Sequence, residues 1–237
     1  PTATNATRCG TGSVSLNASG FPGSTLYWYN TATGGLPVFT GNPFVTPPLS
    51  SNTNYYVSAG GARTIDTVSI GAGTQSSSST YSPFNGLYGG YKHQFLIRET
   101  ELAAQGIYPG TILKNVSMWR ESGTNTYTGF TLSIGSTAAT VSTTTFVAGT
   151  TPVFGPINYT TTGTRMQFDF STPYVYNGGS LVLQTCWSNN ASSATRTYVY
   201  YDATPFVSLS YRQQDNVSSS VICGQATSSS TESYRPK

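Results

Sequence analysis

The chain has 237 residues, a net charge of +3 and only 8% charged residues, so neutral polar side chains must cover much of its surface. Ordinary soluble domains carry about 25% charged residues. No basic run points to nucleic acid, and no apolar run reaches the roughly 18 residues of a membrane span.

Short segments that alternate apolar and polar residues, separated by Gly, Pro, Asn and Ser, run through the chain and predict strands. Many short strands at this spacing are typical of β-sandwiches. The predicted strands are Ser13–Leu16, Leu26–Tyr29, Tyr55–Val57, Gln94–Arg98, Ile112–Trp119, Phe130–Ile134, Arg165–Phe170, Ser180–Trp187, Thr197–Tyr201 and Val207–Arg212.

The stretch LYWYNTATGG, residues 26–35, contains three aromatic residues in four positions and then a turn. Alternation along a strand places Leu26 and Trp28 on one face and Tyr27 and Tyr29 on the other. A single Trp in a strand of a small sandwich usually anchors the core. We therefore predict a buried Trp28 with Tyr27 and Tyr29 half-exposed.

The clearest strand pattern lies in residues 165–170, where Met166, Phe168 and Phe170 alternate with polar residues and so share one face. Residues 130–134 make a second apolar face of the same kind. One segment, Glu99–Gln105, has a helical pattern. Thr100 is its predicted N-cap, and Gly106 suits the left-handed position after the last turn.

A break in the pattern near residues 60–66 divides the chain, and we place the boundary just before Asp66. The tract GAGTQSSSST, residues 71–80, is either a linker or a long loop of the second domain. The predicted fold is all-β. A small immunoglobulin-like sandwich (1–65) precedes a larger jelly-roll-like β-sandwich (66–237) with one short helix.

Three segments, ATRCGTGSVSLNASG, LYWYNTATGG and FVTPPLSSNTNYYVSA, resemble the immunoglobulin-like modules of secreted Bacteroidota proteins. The segment VSIGAGTQSSSSTYSPFNGLYGGYKHQFLIRETELAAQGIYPGTILKNVSMW and the ends LVLQTCWSNN and SSVICGQATSSSTESYRP resemble a second module of such proteins. The resemblance implies an extracellular or cell-surface protein, exported by the type IX system and built from several modules. Many relatives carry a second Cys after the Tyr-Tyr-Val strand, which is missing here.

In a secreted protein, Cys186 and Cys223 are more often bridged than free, so we predict a disulfide between them. It would close a loop of about 37 residues and contribute about 4 kcal/mol in the chain-entropy model. Two buried thiols are the alternative. Cys9 is left over, and we expect it to be buried or bonded to a neighbouring module.

No pattern of catalytic residues stands out. The single histidine, His93, lies in YKHQFLIR without a nucleophile or metal-ligand motif, and we expect it on the surface or on an edge strand. The eight acidic residues are scattered, whereas a glycosidase needs two carboxylates about 5–9.5 Å apart. We predict no enzyme, no cofactor and no resident metal. A hydrolase using Asp or Glu and one structural calcium ion remain alternatives.

Aromatic residues in loops suggest a surface for glycans or a partner protein, because sugars stack on exposed rings. At least Tyr88 or Tyr91 should be exposed, since Gly and Asn around them favour irregular backbone. The candidate residues are Tyr81, Phe84, Tyr88, Tyr91, Tyr198 and Tyr200. The resemblance also marks Asp66-Thr67-Val68 as an O-glycosylation acceptor at Thr67, with an ordinary strand start as the alternative.

Three functions compete at this point. The first is a non-catalytic module pair of a large surface protein, acting as adhesin, stalk or fibre building block beside neighbouring modules or copies of itself. The second is a carbohydrate-binding module attached to a secreted degradative enzyme, and the third is the acid hydrolase. The polar tail TSSSTESYRPK ends without an apolar strand, so we expect the chain to continue beyond Lys237. Pairing of residues 231–236 with Tyr234 inward is the alternative.

Overall fold

The computed structural model describes residues 1–21, 23–33, 36–60, 67–73, 75, 82–193 and 195–237. The chain divides into two compact units: Pro1–Ile65 with Pro109–Thr111, and the remaining residues. The predicted boundary before Asp66 and most of the tract 71–80 lie outside the described residues. Both units are built almost entirely from strands, as the sequence predicts.

The first unit consists of two small antiparallel sheets, with strand orders β1-β2-β5 and β4-β3-β6. Its short strands fit the turn-rich sequence, because Gly, Pro and Asn end each apolar run after a few residues. The strands are β1 (Thr2–Thr4), β2 (Ser15–Ser19), β3 (Thr25–Tyr29), β4 (Phe39–Thr40), β5 (Phe44–Val45) and β6 (Tyr56–Gly60).

Trp28 is the centre of this unit's core and is buried, which confirms the prediction. Its ring N–H donates a hydrogen bond to the carbonyl of Gly41 at 3.0 Å, and its ring lies 5.5 Å from that of Phe44. Tyr27 and Tyr29 are half-buried on the opposite face, also as predicted. Cys9 is exposed and free, so the expectation of a buried thiol is wrong.

The second unit contains a six-stranded antiparallel sheet of order β10-β9-β12-β7-β15-β16, a three-stranded sheet of order β11-β8-β13 and the pair β14-β17. Two short helices accompany them in the described part of the chain: α1 (Glu99–Ala104) and α2 (Ser219–Cys223). The strands are β7 (Gly90–Ile97), β8 (Ile112–Ser122), β9 (Thr126–Thr137), β10 (Thr151–Thr160), β11 (Arg165–Val175), β12 (Ser180–Ser188), β13 (Tyr198–Val199), β14 (Tyr201–Ala203), β15 (Leu209–Gln214), β16 (Ser230–Glu232) and β17 (Tyr234–Pro236).

Aromatic rings fill the space between the two larger sheets. Phe130 on β9 and Phe168 on β11 are fully buried with ring centroids 5.4 Å apart, which confirms that both predicted apolar faces point inward. Trp187 on β12 packs against Tyr127 at 4.6 Å. Each large buried ring contributes several kcal/mol, so this cluster holds the sandwich together.

His93 lies on β7, the strand at the centre of the six-stranded sheet, and it is fully buried. Its ring stacks between those of Tyr91 and Phe95, at 5.4 and 5.7 Å, and faces Tyr211 at 5.8 Å. The expectation of a surface or edge-strand histidine is therefore wrong. Every residue of β7 is buried, because both faces of this strand are covered.

The outer face of the six-stranded sheet is covered by polypeptide, which supplies hydrogen-bond partners to Lys92 and Gln94 of β7. Gln94 donates to the carbonyl of Val147 at 2.8 Å and accepts from its N–H at 2.7 Å. The Lys92 ammonium donates to the carbonyls of Cys223 and Gln225, at 2.8 and 2.7 Å, and burial lowers its pKa. These contacts explain how a polar sequence occupies a central strand.

The predicted disulfide between Cys186 and Cys223 is present, with their Cα atoms 5.5 Å apart. Cys186 lies on β12, and Cys223 is the last residue of α2. The bond therefore fastens α2 to the outer face of the six-stranded sheet, where Ile222 is buried.

Helix α1 lies where the sequence predicts it, but it begins after Arg98, so the prediction of Thr100 as N-cap is wrong. The Arg98 N–H donates to the Glu101 carboxylate at 2.9 Å, which satisfies a donor that the first turn leaves open. Gly106 has a φ of +77° just past the helix end, as expected for glycine there. Leu102 and Ile107 are buried.

The polar C-terminal tail forms two short strands, so its sequence is less irregular than it looks. β16 pairs with β15, and β17 pairs with β14. Arg235 is the buried residue of β17, whereas Tyr234, predicted inward in the alternative of a pairing tail, is half-buried. The Arg235 guanidinium forms a salt bridge of 2.8 Å with Glu101 of α1.

Candidate functional site

The segment YSPFNGLYGGY, residues 81–91, contains four of the predicted aromatic residues, and most of its described part belongs to the core. Phe84 and Tyr91 are fully buried, so the prediction that they form a binding surface is wrong. Tyr88 is half-buried and touches Tyr91 edge-on at 6.3 Å. Tyr81 lies outside the described residues. Burial raises the pKa of the Tyr91 phenol, as expected for a ring removed from water.

Backbone hydrogen bonds to the core explain why this irregular segment is buried. The Trp187 ring N–H donates to the carbonyl of Pro83 at 2.6 Å, and the Tyr127 hydroxyl donates to the carbonyl of Phe84. Thr197 donates its N–H to the same Phe84 carbonyl at 3.1 Å. Loops usually remain outside because their backbone groups need water, and here side chains of the core replace that water.

The other two predicted aromatic residues lie at the three-stranded sheet. Tyr198 on β13 is half-buried, and Tyr200, directly after β13, is 36% exposed. Val199 between them is buried, so the alternation turns both tyrosines away from the core. Tyr198 and Tyr200 therefore point away from the core in which Phe84 and Tyr91 are buried.

Trp119 on β8 is 38% exposed and stands at the centre of the outer face of the three-stranded sheet. Its neighbour Met118 is buried, so the strand directs Trp119 outward. Arg165 on β11 is its directly paired residue on one side. On the other side, the Tyr200 N–H donates to the Trp119 carbonyl at 2.9 Å. Arg165, Trp119 and Tyr200 thus form one row across neighbouring strands, which we call the Trp119 row.

Polar side chains continue this face along the strands. Gln167 pairs with Ser117, and Asp169 pairs with Asn115, in the same register that joins Arg165 to Trp119. Gln167 donates its amide to the Asp169 carboxylate at 2.7 Å. Successive pairs lie about 7 Å apart along a strand, so the face offers hydrogen-bonding groups over about 14 Å.

Lys237 lies beside the Trp119 row. Its backbone N–H donates to the Tyr200 carbonyl at 2.9 Å, and its carbonyl accepts from the Trp119 N–H at 3.1 Å. Its ammonium lies 5.4 Å from the centroid of the Trp119 ring and donates to the carbonyl of Ala72 at 2.8 Å. Trp119 therefore has one cationic group over its ring, from Lys237, and a second cationic residue, Arg165, paired with it on β11.

The opposite outer face, on the six-stranded sheet, offers little room for a ligand. The chain around residues 139–147 covers this face and leaves a cavity of about 40 Å³. The cavity is bordered by apolar residues such as Val141 and Val182 and by the buried polar groups of Gln94 and Ser210. Such a cavity holds a few water molecules but no sugar ring.

The acidic residues that could serve a hydrolase lie on different elements. Glu101 is held by Arg235, and Asp202 accepts the backbone N–H of Gly73 at 2.8 Å. Asp215 accepts the N–H of Gly89 at 2.6 Å, and Asp169 accepts from Gln167. Glu101, Asp202 and Asp215 thus join distant parts of the chain, whereas the bond between Asp169 and Gln167 is exposed and lies within β11. Across the described ranges, no cluster of three or more His, Cys, Asp or Glu side chains is arranged to hold a metal ion.

Thr67 is exposed, while Asp66 of its predicted acceptor triplet lies outside the described residues. Modification of Thr67 therefore remains a prediction.

Trp119 is the residue that sequence reasoning missed. The segment Ile112–Trp119 was predicted as a strand without assigning its faces. Val116 and Met118 occupy one phase of its alternation and Trp119 the other, so the sequence contained a signal that Trp119 points outward. The covered sheet face could not be found in this way, because segments distant in sequence cover it.

Residues 1–69 match the family model described as "Ig-like domain CHU_C associated". No curated protein and no solved structure matches the chain. Among the described residues, no helix combines the length and apolar character that crossing a membrane requires. The family match points to a Bacteroidota-type immunoglobulin-like module in the first unit, and such a module indicates an extracellular, multi-module protein.

Proposed function

We propose that this chain is a non-catalytic pair of modules from a large secreted or cell-surface protein, and that it serves as an adhesin, stalk or fibre building block. Its partners are neighbouring modules of the same polypeptide or further copies of itself. The single observation that carries the proposal is the match of the first unit to the immunoglobulin-like model, followed directly by a second sandwich.

Two properties of the second unit support this role. The disulfide between Cys186 and Cys223 is a bond that persists in oxidising compartments, outside the cytosol. The surface is poor in charge and rich in hydroxyl and amide groups, which stay hydrated without strong interactions with other charged molecules. Both properties suit a spacer that is exposed to the medium.

Immunolabelling tests the location. An antibody against the chain should label intact, unpermeabilised source cells or detect the protein in their medium. Labelling that appears only after lysis would contradict the proposal.

In-frame deletion of the pair from its parent protein tests the role. Attachment or display should be lost, while the activity of other modules is kept. Hydrolase activity of the purified pair that disappears in an Asp or Glu variant would instead support the acid hydrolase.

Carbohydrate binding is a second candidate function, and one specific observation favours it. Trp119 and Tyr200 are both exposed on hydrogen-bonded neighbouring backbone, on a sheet that also presents amide, hydroxyl and guanidinium groups. Exposed rings bind the apolar faces of sugars, and polar groups around them bind sugar hydroxyls. Retardation of the chain in native gels cast with soluble polysaccharides would support this function. Unchanged mobility across a broad panel would contradict it.

A further inference from the structure

We infer that the Trp119 row binds an acidic oligosaccharide, with one sugar ring stacked on Trp119 and a carboxylate of the sugar chain held by Arg165. This inference rests on the second candidate function above and names its residues and ligand class. Uronic acid polymers are the ligand chemistry that fits best, because they combine stackable rings with a regularly placed carboxylate.

The first step of the argument is the exposure of Trp119. An indole that is 38% exposed leaves apolar surface in water, and covering that surface is favourable. Tyr200 is a second exposed aromatic residue on the neighbouring backbone, one strand spacing (about 5 Å) away. Both residues lie on paired backbone, so little backbone entropy is lost when they bind a ligand.

The second step is the state of Arg165. Its Nε–H donates to the Ser117 hydroxyl at 3.0 Å, and this bond fixes the orientation of the guanidinium. Within the described residues, its two terminal nitrogens have no carboxylate partner. The planar edge of a guanidinium matches a carboxylate through two parallel hydrogen bonds between opposite charges, whereas a neutral sugar offers only uncharged hydroxyl groups.

The third step is the charge around the row. Arg165 is the paired neighbour of Trp119, and the Lys237 ammonium lies over the Trp119 ring, so the local potential favours an anion. Asp169 lies about 14 Å further along β11 and is already bonded to Gln167. Glu121 lies two residues from Trp119 on β8 and is the nearest acidic residue along that strand. A carboxylate on the ligand therefore has its most favourable electrostatic interaction near Arg165, at the end of the row away from Tyr200.

The experiment compares polygalacturonate with its fully methyl-esterified form, because esterification removes the charge and keeps the sugar backbone. Alginate and hyaluronan extend the acidic set, and xyloglucan and galactan extend the neutral set. Binding is measured by isothermal titration on the whole chain and on the variants Trp119→Ala and Arg165→Gln. Tyr56→Ala, which removes an equally exposed ring (40%) from the other unit, and Lys114→Gln, which removes an exposed charge from β8, are the matched controls.

The inference predicts binding to at least one acidic polymer, with its neutral counterpart bound at least about tenfold more weakly. Trp119→Ala should abolish this binding, and Arg165→Gln should weaken it about tenfold and remove the preference for acid. Both controls should bind like the original chain. Circular dichroism and thermal melting confirm that each variant is folded.

Each other outcome identifies what is wrong. Equal binding of acidic and neutral glycans that depends on Trp119 and not on Arg165 overturns the acidic ligand but leaves carbohydrate binding intact. Binding that survives Trp119→Ala overturns the site. No binding to any glycan overturns both this inference and the second candidate function.

Discussion

Replacing Arg235 with leucine tests the ion pair that joins strand β17 to helix α1. The Arg235 guanidinium donates to both carboxylate oxygens of Glu101, at 2.8 and 3.1 Å, and to the carbonyl of Leu96 at 3.1 Å. Its side chain is only 7% exposed, and that of Glu101 is 28% exposed. Leucine would remove every one of these donors and leave the carboxylate without its charged partner.

Breaking a buried ion pair by removing one partner costs about 3–5 kcal/mol. Because Glu101 keeps some access to water, we expect about 3 kcal/mol, at the lower end of that range. In a unit of this size each kcal/mol lowers the melting temperature by about 2–4 °C, so the transition of the second unit should fall by about 6–12 °C.

Differential scanning calorimetry should show this shift in the transition of the second unit and leave that of the first unchanged. Arg235→Lys serves as control, because it keeps the charge but loses the bidentate hydrogen bonding. Its melting temperature should lie between those of the leucine variant and the original chain. Adding Glu101→Gln to Arg235→Leu should cost little more, since the pair is already broken. If the two changes add within about 0.5 kcal/mol, or the leucine variant melts within 1–2 °C of the original (under about 1 kcal/mol), the reasoning is wrong.

Three further outcomes are expected. The pKa of Glu101 lies below its ordinary value of 4.5: burial acts to raise it, but the hydrogen bonds from Arg235 and Arg98 and both positive charges outweigh burial. The ionised Glu101 side chain therefore stabilises the fold fully above pH 4.5, and this stabilisation is lost as the pH falls through the lower pKa of the folded state. The acid-induced fall in melting temperature should therefore be smaller in Glu101→Gln. Trp28→Ala should destabilise the first unit by about 3–5 kcal/mol in urea titrations, and a normal midpoint would show that its burial contributes little. Replacing Cys186 and Cys223 together with serine should lower the stability of the second unit by about 4 kcal/mol, and alkylation of all three cysteines in the native chain without reductant would disprove the bond.

Alternation along the strands predicted the parts of the fold in which one face of a strand is buried and the other is wet. Met166 and Phe168 face the core while Gln167 and Asp169 face water, so a period of two identifies the strand and its orientation. The burial of Trp28 follows from the same reasoning. In these segments the local sequence contains the whole signal.

The prediction failed where distant segments cover a surface. The residues Lys92-His93-Gln94 look like a solvated strand, yet all three are buried. The chain around residues 142–147 and 223–225 supplies carbonyl and N–H partners to Lys92 and Gln94, whereas His93 packs among the rings of Tyr91, Phe95 and Tyr211. The prediction that Phe84 belongs to a binding surface was wrong for the same reason, since its loop is hydrogen-bonded to Trp187 and Tyr127. Local composition cannot reveal such partners, because they arrive only with the tertiary fold.

The candidate site was predicted only in part. Tyr200 was named from its aromatic segment, and the structure exposes it. Trp119 and Arg165 were not predicted as site residues, because their pairing across β8 and β11 depends on strand register. Register between strands about 45 residues apart is a long-range property, set by the packing of both faces and not by either strand alone.

The disulfide between Cys186 and Cys223 also determines how the second unit responds to mechanical tension. If force reaches the unit through residues on either side of this loop, the covalent bond carries it past residues 187–222, which include β13, β14 and β15. That segment cannot be drawn out even when the sheets come apart. At about 3.5 Å per extended residue, the 37-residue separation withholds roughly 130 Å of extension. A tether built from such units would lengthen less before it breaks, and reduction of the bond would make it markedly more extensible.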